Sequence, residues 1–81
     1  MNKQHLLVLS QPKCGKLIRD IRQQLGLSQE DFASVIGVTF STVNRWENGH
    51  AKPSRLAAKS IEAKLLELGE SGKELLAKYS N

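Results

Sequence analysis

A chain of 81 residues is one domain, too short to hold a deep catalytic pocket beside a hydrophobic core, so a binding module is expected before an enzyme. With 40% hydrophobic and 25% charged residues, it has the balance of a soluble globular domain, not of a disordered or membrane chain. The formal charge of +4 and pI near 9.5 suit a polyanionic partner.

Met1 to Ser10 holds a short apolar run, Leu6 to Leu9, that reads equally as a strand, a helix start or a disordered tail. It is too short for a signal-peptide core or a membrane span, so a cytoplasmic protein is expected. Residues 1–14 are set apart as an N-terminal extension, extended or disordered. Pro12 and Gly15 punctuate the approach to a first helix, in which Leu17, Ile18, Ile21 and Leu25 recur on one face. Gly26 closes that helix as a C-terminal glycine does.

Ser28 is suited to cap a second helix, its hydroxyl accepting from the Asp31 N–H while the Asp31 carboxylate favours the positive helix end. That helix starts near Gln29, carries Phe32, Ala33 and Ile36 as its apolar stripe, and ends at Gly37. Thr39 caps a third helix, and Asn48-Gly49 ends it. At about 100° per residue, Phe40, Ser41, Asn44, Arg45 and Asn48 fall within an arc of roughly 140°, with Val43 and Trp46 on the opposite side. One face packs and the other is free to read something.

After the loop His50 to Pro53, a fourth helix starts at Pro53 or Ser54 and aligns Ala57, Ala58, Ile61, Leu65 and Leu68. Leu56 and Leu66 fall off that stripe, and Gly69 ends the helix. A last helix is expected over Lys73 to Tyr79, with Ser71 or Gly72 at its start and Leu75 and Leu76 folding back on the core. Residues 15–69 thus form the central domain and residues 70–81 a short C-terminal helix or tail.

Charge is distributed unevenly. From Arg45 to Lys59 the chain carries Arg45, Lys52, Arg55 and Lys59 against Glu47 alone, with His50 able to add a partial charge. The single cysteine, Cys14, makes no intramolecular disulfide and is expected as a semi-buried small hydrophobe in a reducing compartment. His5 and His50 lack the clustered spacing of a zinc site, so no metal, cofactor or small-molecule ligand is expected. No serine or cysteine has a nearby histidine, no carboxylate pair is evidently placed as acid and base, and no phosphate-cradling glycine loop is present, which argues against an enzyme.

The stretch from Leu27 to Gly49 is the most specific part of the chain. Leu27-Ser28-Gln29, Phe32-Ala33, Ile36-Gly37-Val38-Thr39, Val43, Trp46-Glu47-x-Gly49 and Pro53 together resemble the lambda repressor and Cro-like helix-turn-helix domains, the XRE type. The resemblance covers roughly Gly15 to Leu68 and implies an all-α, lambda repressor-like fold of four to five helices, the second and third forming the helix-turn-helix. Physically, two helices cross closely only if a small residue, Ala33, sits at the contact and the turn tolerates the backbone of Gly37.

The resemblance also implies roles. Glu47 lies next to Val43 on the wheel, toward the interior, where a carboxylate needs a partner; in similar domains the arginine at the Arg22 position supplies it, as a structural ion pair. Gln29, at a helix N-terminus that already favours phosphate, would clamp the DNA backbone, joined by Thr42, Asn48, His50, Lys52 and Arg55. Such contacts fix register and carry no sequence information. Phe40, Ser41, Asn44 and Arg45 would read bases, Arg45 by its fork on guanine O6 and N7 and Asn44 on adenine. Phe40 departs from the usual polar residue there and either meets a thymine methyl or folds back on the protein.

The expected function is sequence-specific binding of double-stranded DNA by a transcriptional regulator, a repressor acting as a homodimer on an inverted repeat. The alternative keeps the fold but makes it a protein-interaction or antitoxin-like module. Leu56, Leu66, Leu75, Leu76 and the run from Leu6 to Leu9 are the candidates for a dimer surface.

Overall fold

The computed structural model describes residues 9–79 and folds them into α1 (Lys13–Gln24), α2 (Gln29–Ile36), α3 (Phe40–Glu47), α4 (Arg55–Glu67) and α5 (Glu70–Tyr79), with no strand among the described residues. Leu6 to Val8 lie outside the described residues, whereas Leu9 is half-buried against the core.

Helix ends are set by the side chains that the sequence singles out. Ser28 Oγ accepts from the Asp31 N–H at 3.0 Å, and Thr39 Oγ1 accepts from the Thr42 N–H at 3.2 Å. Gly37 closes α2 with φ of 90°, a left-handed conformation that costs a Cβ-bearing residue dearly, and its N–H and that of Val38 both return to the Ala33 carbonyl at 2.8 and 2.9 Å. Helix α4 starts at Arg55, just past both expected starts, because Ser54 is its extended cap, with Oγ accepting from the Ala57 N–H at 3.2 Å. Pro53 is therefore outside the helix, and it is buried there.

Two expected boundaries shift for the same reason. Gly15 lies inside α1 and not ahead of it, and Gly72 lies inside α5, which starts at Glu70. At each, a helix presses onto the backbone of a neighbour: a Cβ on Gly15 would fall well inside contact with the Trp46 carbonyl oxygen, and one on Gly72 with the Leu65 carbonyl oxygen. Sequence rules read glycine as a helix breaker, while here close approach requires it.

The core is aliphatic around a few rings. Cys14, Leu17, Ile18 and Ile21 of α1 meet Phe32 and Ala33 of α2, Val43 and Trp46 of α3, and Ala57, Ala58, Ile61 and Leu65 of α4. Burying each of the larger side chains contributes about 1.5–3 kcal/mol. Cys14 is wholly buried, and burial pushes its thiol pKa up, against a smaller opposing effect of Lys52. Leu75 and Leu76 pack partly against this core, and α5 is tied to α1 where Tyr79 Oη donates to Asp20 Oδ2 at 2.6 Å and Lys78 Nζ to the same oxygen at 3.2 Å. Leu56 and Leu66, off the stripe of α4, are 77% and 81% exposed.

Candidate nucleic-acid interface

Helix α3 is amphipathic in the sense that its sequence dictates. Val43 and Trp46 are buried on one side, while Phe40, Ser41, Arg45 and Asn48 are exposed and Thr42 and Asn44 half-buried on or beside the other. Phe40 is 48% exposed, so its ring is not folded into the core. Thr42 Oγ1 lies 2.9 Å from Thr39 Oγ1, which joins it to the cap of its own helix.

Behind this face sits one buried charge. Glu47 has a side chain only 1% exposed, and Arg22 grips it from α1 by two parallel bonds, Nε to Oε2 at 2.7 Å and Nη2 to Oε1 at 3.1 Å. This bidentate geometry is the strong form of a charged hydrogen bond. Arg19 adds a longer contact, Nε to Oε1 at 3.5 Å, and Arg22 Nη1 donates to the Leu27 carbonyl at 2.9 Å. Burial pushes the Glu47 carboxyl up, but the bonds from Arg22, Gln29 and Arg19 outweigh it and hold the group below the usual carboxylate range. Hydrogen bonding to Glu47 likewise raises Arg22 further, against desolvation, so both stay charged.

The carboxylate is also the start of a chain of amides. Gln29 Nε2 donates to Glu47 Oε1 at 3.0 Å, Asn44 Nδ2 to Gln29 Oε1 at 3.2 Å, and Asn48 Nδ2 to Asn44 Oδ1 at 3.0 Å. Gln29, Asn44 and Asn48 are thus one connected unit with the ion pair, a link that periodicity and charge could not reveal. Each amide keeps a further N–H and further acceptor capacity for an outside partner.

The remaining basic residues follow α3. His50 and Lys52 are exposed on the loop to α4, and Arg55 is the exposed first residue of α4. The loop is held from behind by Gln11, whose Nε2 donates to the Ala51 carbonyl at 2.6 Å and the Trp46 carbonyl at 3.2 Å. Its Oε1 accepts from the Gly15 N–H at 2.8 Å and so caps α1. Sequence reasoning passed over Gln11, although a polar side chain four residues ahead of a helical N–H is in range for such a cap. Among the described residues, no group of His, Cys, Asp or Glu could hold a metal, and no helix is long and apolar enough to cross a membrane.

Two short helices meeting through a glycine turn, the second with an outward polar face and basic residues beyond it, define a helix-turn-helix unit. The Helix-turn-helix family model matches residues 18–65, and the chain belongs to this family in its XRE-type form, a family of DNA-binding transcriptional regulators. An uncharacterized HTH-type transcriptional regulator of Archaeoglobus fulgidus is 35% identical over 74 residues, 90% of this chain and 32% of its own length. One of Methanothermobacter thermautotrophicus is 44% identical over 45 residues, 56% of this chain and 65% of its own, and the regulator YiaG of Escherichia coli is 41% identical over 51 residues, 63% and 48% respectively. The chain therefore spans between about a third and two thirds of the curated relatives it matches. No solved structure matches it significantly.

Proposed function

We propose that this protein is a sequence-specific regulator of transcription, acting in the cytoplasm as a repressor and binding double-stranded DNA as a homodimer on an inverted repeat. The observation that carries the reading is the outward face of α3, where exposed Phe40, Ser41 and Arg45 flank half-buried Asn44 on a helix anchored from behind by Val43, Trp46 and Glu47. In this reading α3 enters the major groove. Arg45 donates to guanine O6 and N7, Asn44 meets adenine, and the exposed ring of Phe40 meets a thymine methyl. Gln29, Thr42, Asn48, His50, Lys52 and Arg55 contact phosphates on either side.

Repression needs only occupancy of the site, which a small domain can provide. A single module covers little DNA, and pairing on half-sites one helical turn apart multiplies affinity and specificity. Of the leucines considered for the dimer surface, Leu75 and Leu76 pack toward the core, while Leu56 and Leu66 stand exposed. The two exposed residues are assigned to that contact.

The test is selection of bound sequences from a random duplex pool by the wild type and Arg45→Ala. An inverted repeat is expected, with loss of preference at one G·C position in the variant. Affinity should fall with salt at a log-log slope of about −0.9 per phosphate neutralised. A flat salt response would sink the DNA reading.

A further inference from the structure

The amide chain behind the reading face has a direction, and the direction originates in Glu47. A carboxylate can only accept hydrogen bonds, so the Gln29 atom 3.0 Å from Glu47 Oε1 must be the Nε2 donor. That turns Gln29 Oε1 toward α3, where it accepts from Asn44 Nδ2 at 3.2 Å. Asn44 Oδ1 is then left facing Asn48 Nδ2 at 3.0 Å. One buried charge, held ionised by the fork of Arg22 at 2.7 and 3.1 Å, fixes the sense of three successive amides.

Asn44 uses one N–H and one lone pair in this chain and keeps one of each. Its donor side faces α2 and its acceptor side faces the end of α3. The major-groove edge of adenine asks for that combination, a donor to N7 and an acceptor from N6. A·T and T·A pairs present N7 and N6 in opposite order across the groove. An asparagine free to flip could read either order, and one held in a single sense reads only one.

We propose that Glu47, acting through Gln29, is the positioning residue that fixes the amide orientation of Asn44 and so decides which strand carries the adenine at the position Asn44 reads. The inference rests on the DNA-reading function proposed above. It makes Gln29 more than a phosphate contact: its second Nε2 hydrogen can meet a phosphate while the rest of the amide orients its neighbour.

The experiment is the same duplex selection, run on the full chain with wild type, Asn44→Ala, Gln29→Met and Glu47→Gln, each first checked for a helical spectrum. Asn44→Ala identifies the base pair that Asn44 reads by the preference that disappears. At that pair the wild type is expected to favour one of A·T and T·A by roughly tenfold or more. Gln29→Met leaves the Arg22–Glu47 pair in place, removes the relay, and should bring the two orientations within about twofold while other positions keep their preferences. Loss of a phosphate contact alone weakens all sequences alike and leaves the pattern untouched. Glu47→Gln, which can present either a donor or an acceptor to Gln29, should relax the same position. Retention of the strand preference in Gln29→Met, or no position lost in Asn44→Ala, overturns the relay while leaving the DNA-binding function standing. Recovery of no preferred sequence by the wild type overturns both.

Discussion

Replacing Glu47 by alanine should be the most damaging single polar truncation in this domain, and its size follows from the geometry. The side chain is 1% exposed and accepts from Arg22 twice, from Gln29 and, at longer range, from Arg19. Removing it leaves the Arg22 guanidinium, 14% exposed, with the Leu27 carbonyl at 2.9 Å as its remaining acceptor. Breaking a buried pair by deleting one partner costs about 3–5 kcal/mol. The residual exposure of Arg22 and its bond to Leu27 place the cost at the lower end, about 3 kcal/mol, and Arg19, 45% exposed, adds little. At about 4–8 °C per kcal/mol for a domain of this size, the melting temperature should fall by about 12–24 °C. Circular dichroism melts at neutral pH measure the fall. A double variant, Glu47→Ala with Arg22→Met, should recover part of it, because exchanging a buried pair for apolar groups is often near neutral. A loss below about 1 kcal/mol, or a double variant less stable than Glu47→Ala, would refute the reasoning.

Four further outcomes are expected. Because the Glu47 carboxyl titrates below its ordinary value of about 4.5, its contribution is complete above that value and is lost as the pH falls through the lower, folded one. Acid melts from pH 6 to 3 should therefore show a steeper loss for the wild type than for Glu47→Ala, and parallel curves would contradict this. Gly15→Ala should destabilise by about 2 kcal/mol: helix propensity favours alanine by about 1, but crowding a backbone carbonyl costs about 3. A urea midpoint at or above wild type would refute it. Gln11→Ala strips donors from the Trp46 and Ala51 carbonyls and should cost about 2 kcal/mol, with faster hydrogen exchange at the His50 amide as the local sign. Tyr79→Phe removes the hydroxyl bond to Asp20 and should cost about 1 kcal/mol by urea unfolding, with no change expected if α5 were not docked on α1 through this bond.

Much of the fold is written in local signals. Ser28, Thr39 and Gly37 mark helix ends through their own backbone chemistry, so a reader of a few residues at a time finds them. The division of α3 into a packed and a free side follows from its period, which is also local. What the sequence conceals is long-range. Gln11 meets carbonyls 35 and 40 residues away, and Asp20 meets Tyr79 across 59 residues; amides and carboxylates at such separations leave no periodic trace. Gly15 and Gly72 mislead for a related reason, since a glycine that permits a crossing looks in sequence like one that ends a helix. In the candidate interface, the buried pair of Arg22 and Glu47 is anticipated by its place on the wheel together with the family resemblance, while the chain through Gln29, Asn44 and Asn48 emerges only once α2 and α3 are placed in space.

The approach of Gly15 to the Trp46 carbonyl has a consequence for how such a domain can change over generations. Helix α3 is mounted on α1 partly backbone to backbone, at a point where the Gln11 amide bridges the Gly15 N–H and the Trp46 carbonyl. The outward residues Phe40, Ser41 and Arg45 take no part in that mounting, so mutation can try new side chains there without loosening the helix that displays them. Asn44 is different, because its amide is shared with Gln29 and Asn48. A lineage drifting toward a new target should alter the three outward positions independently and position 44 only in company with position 29.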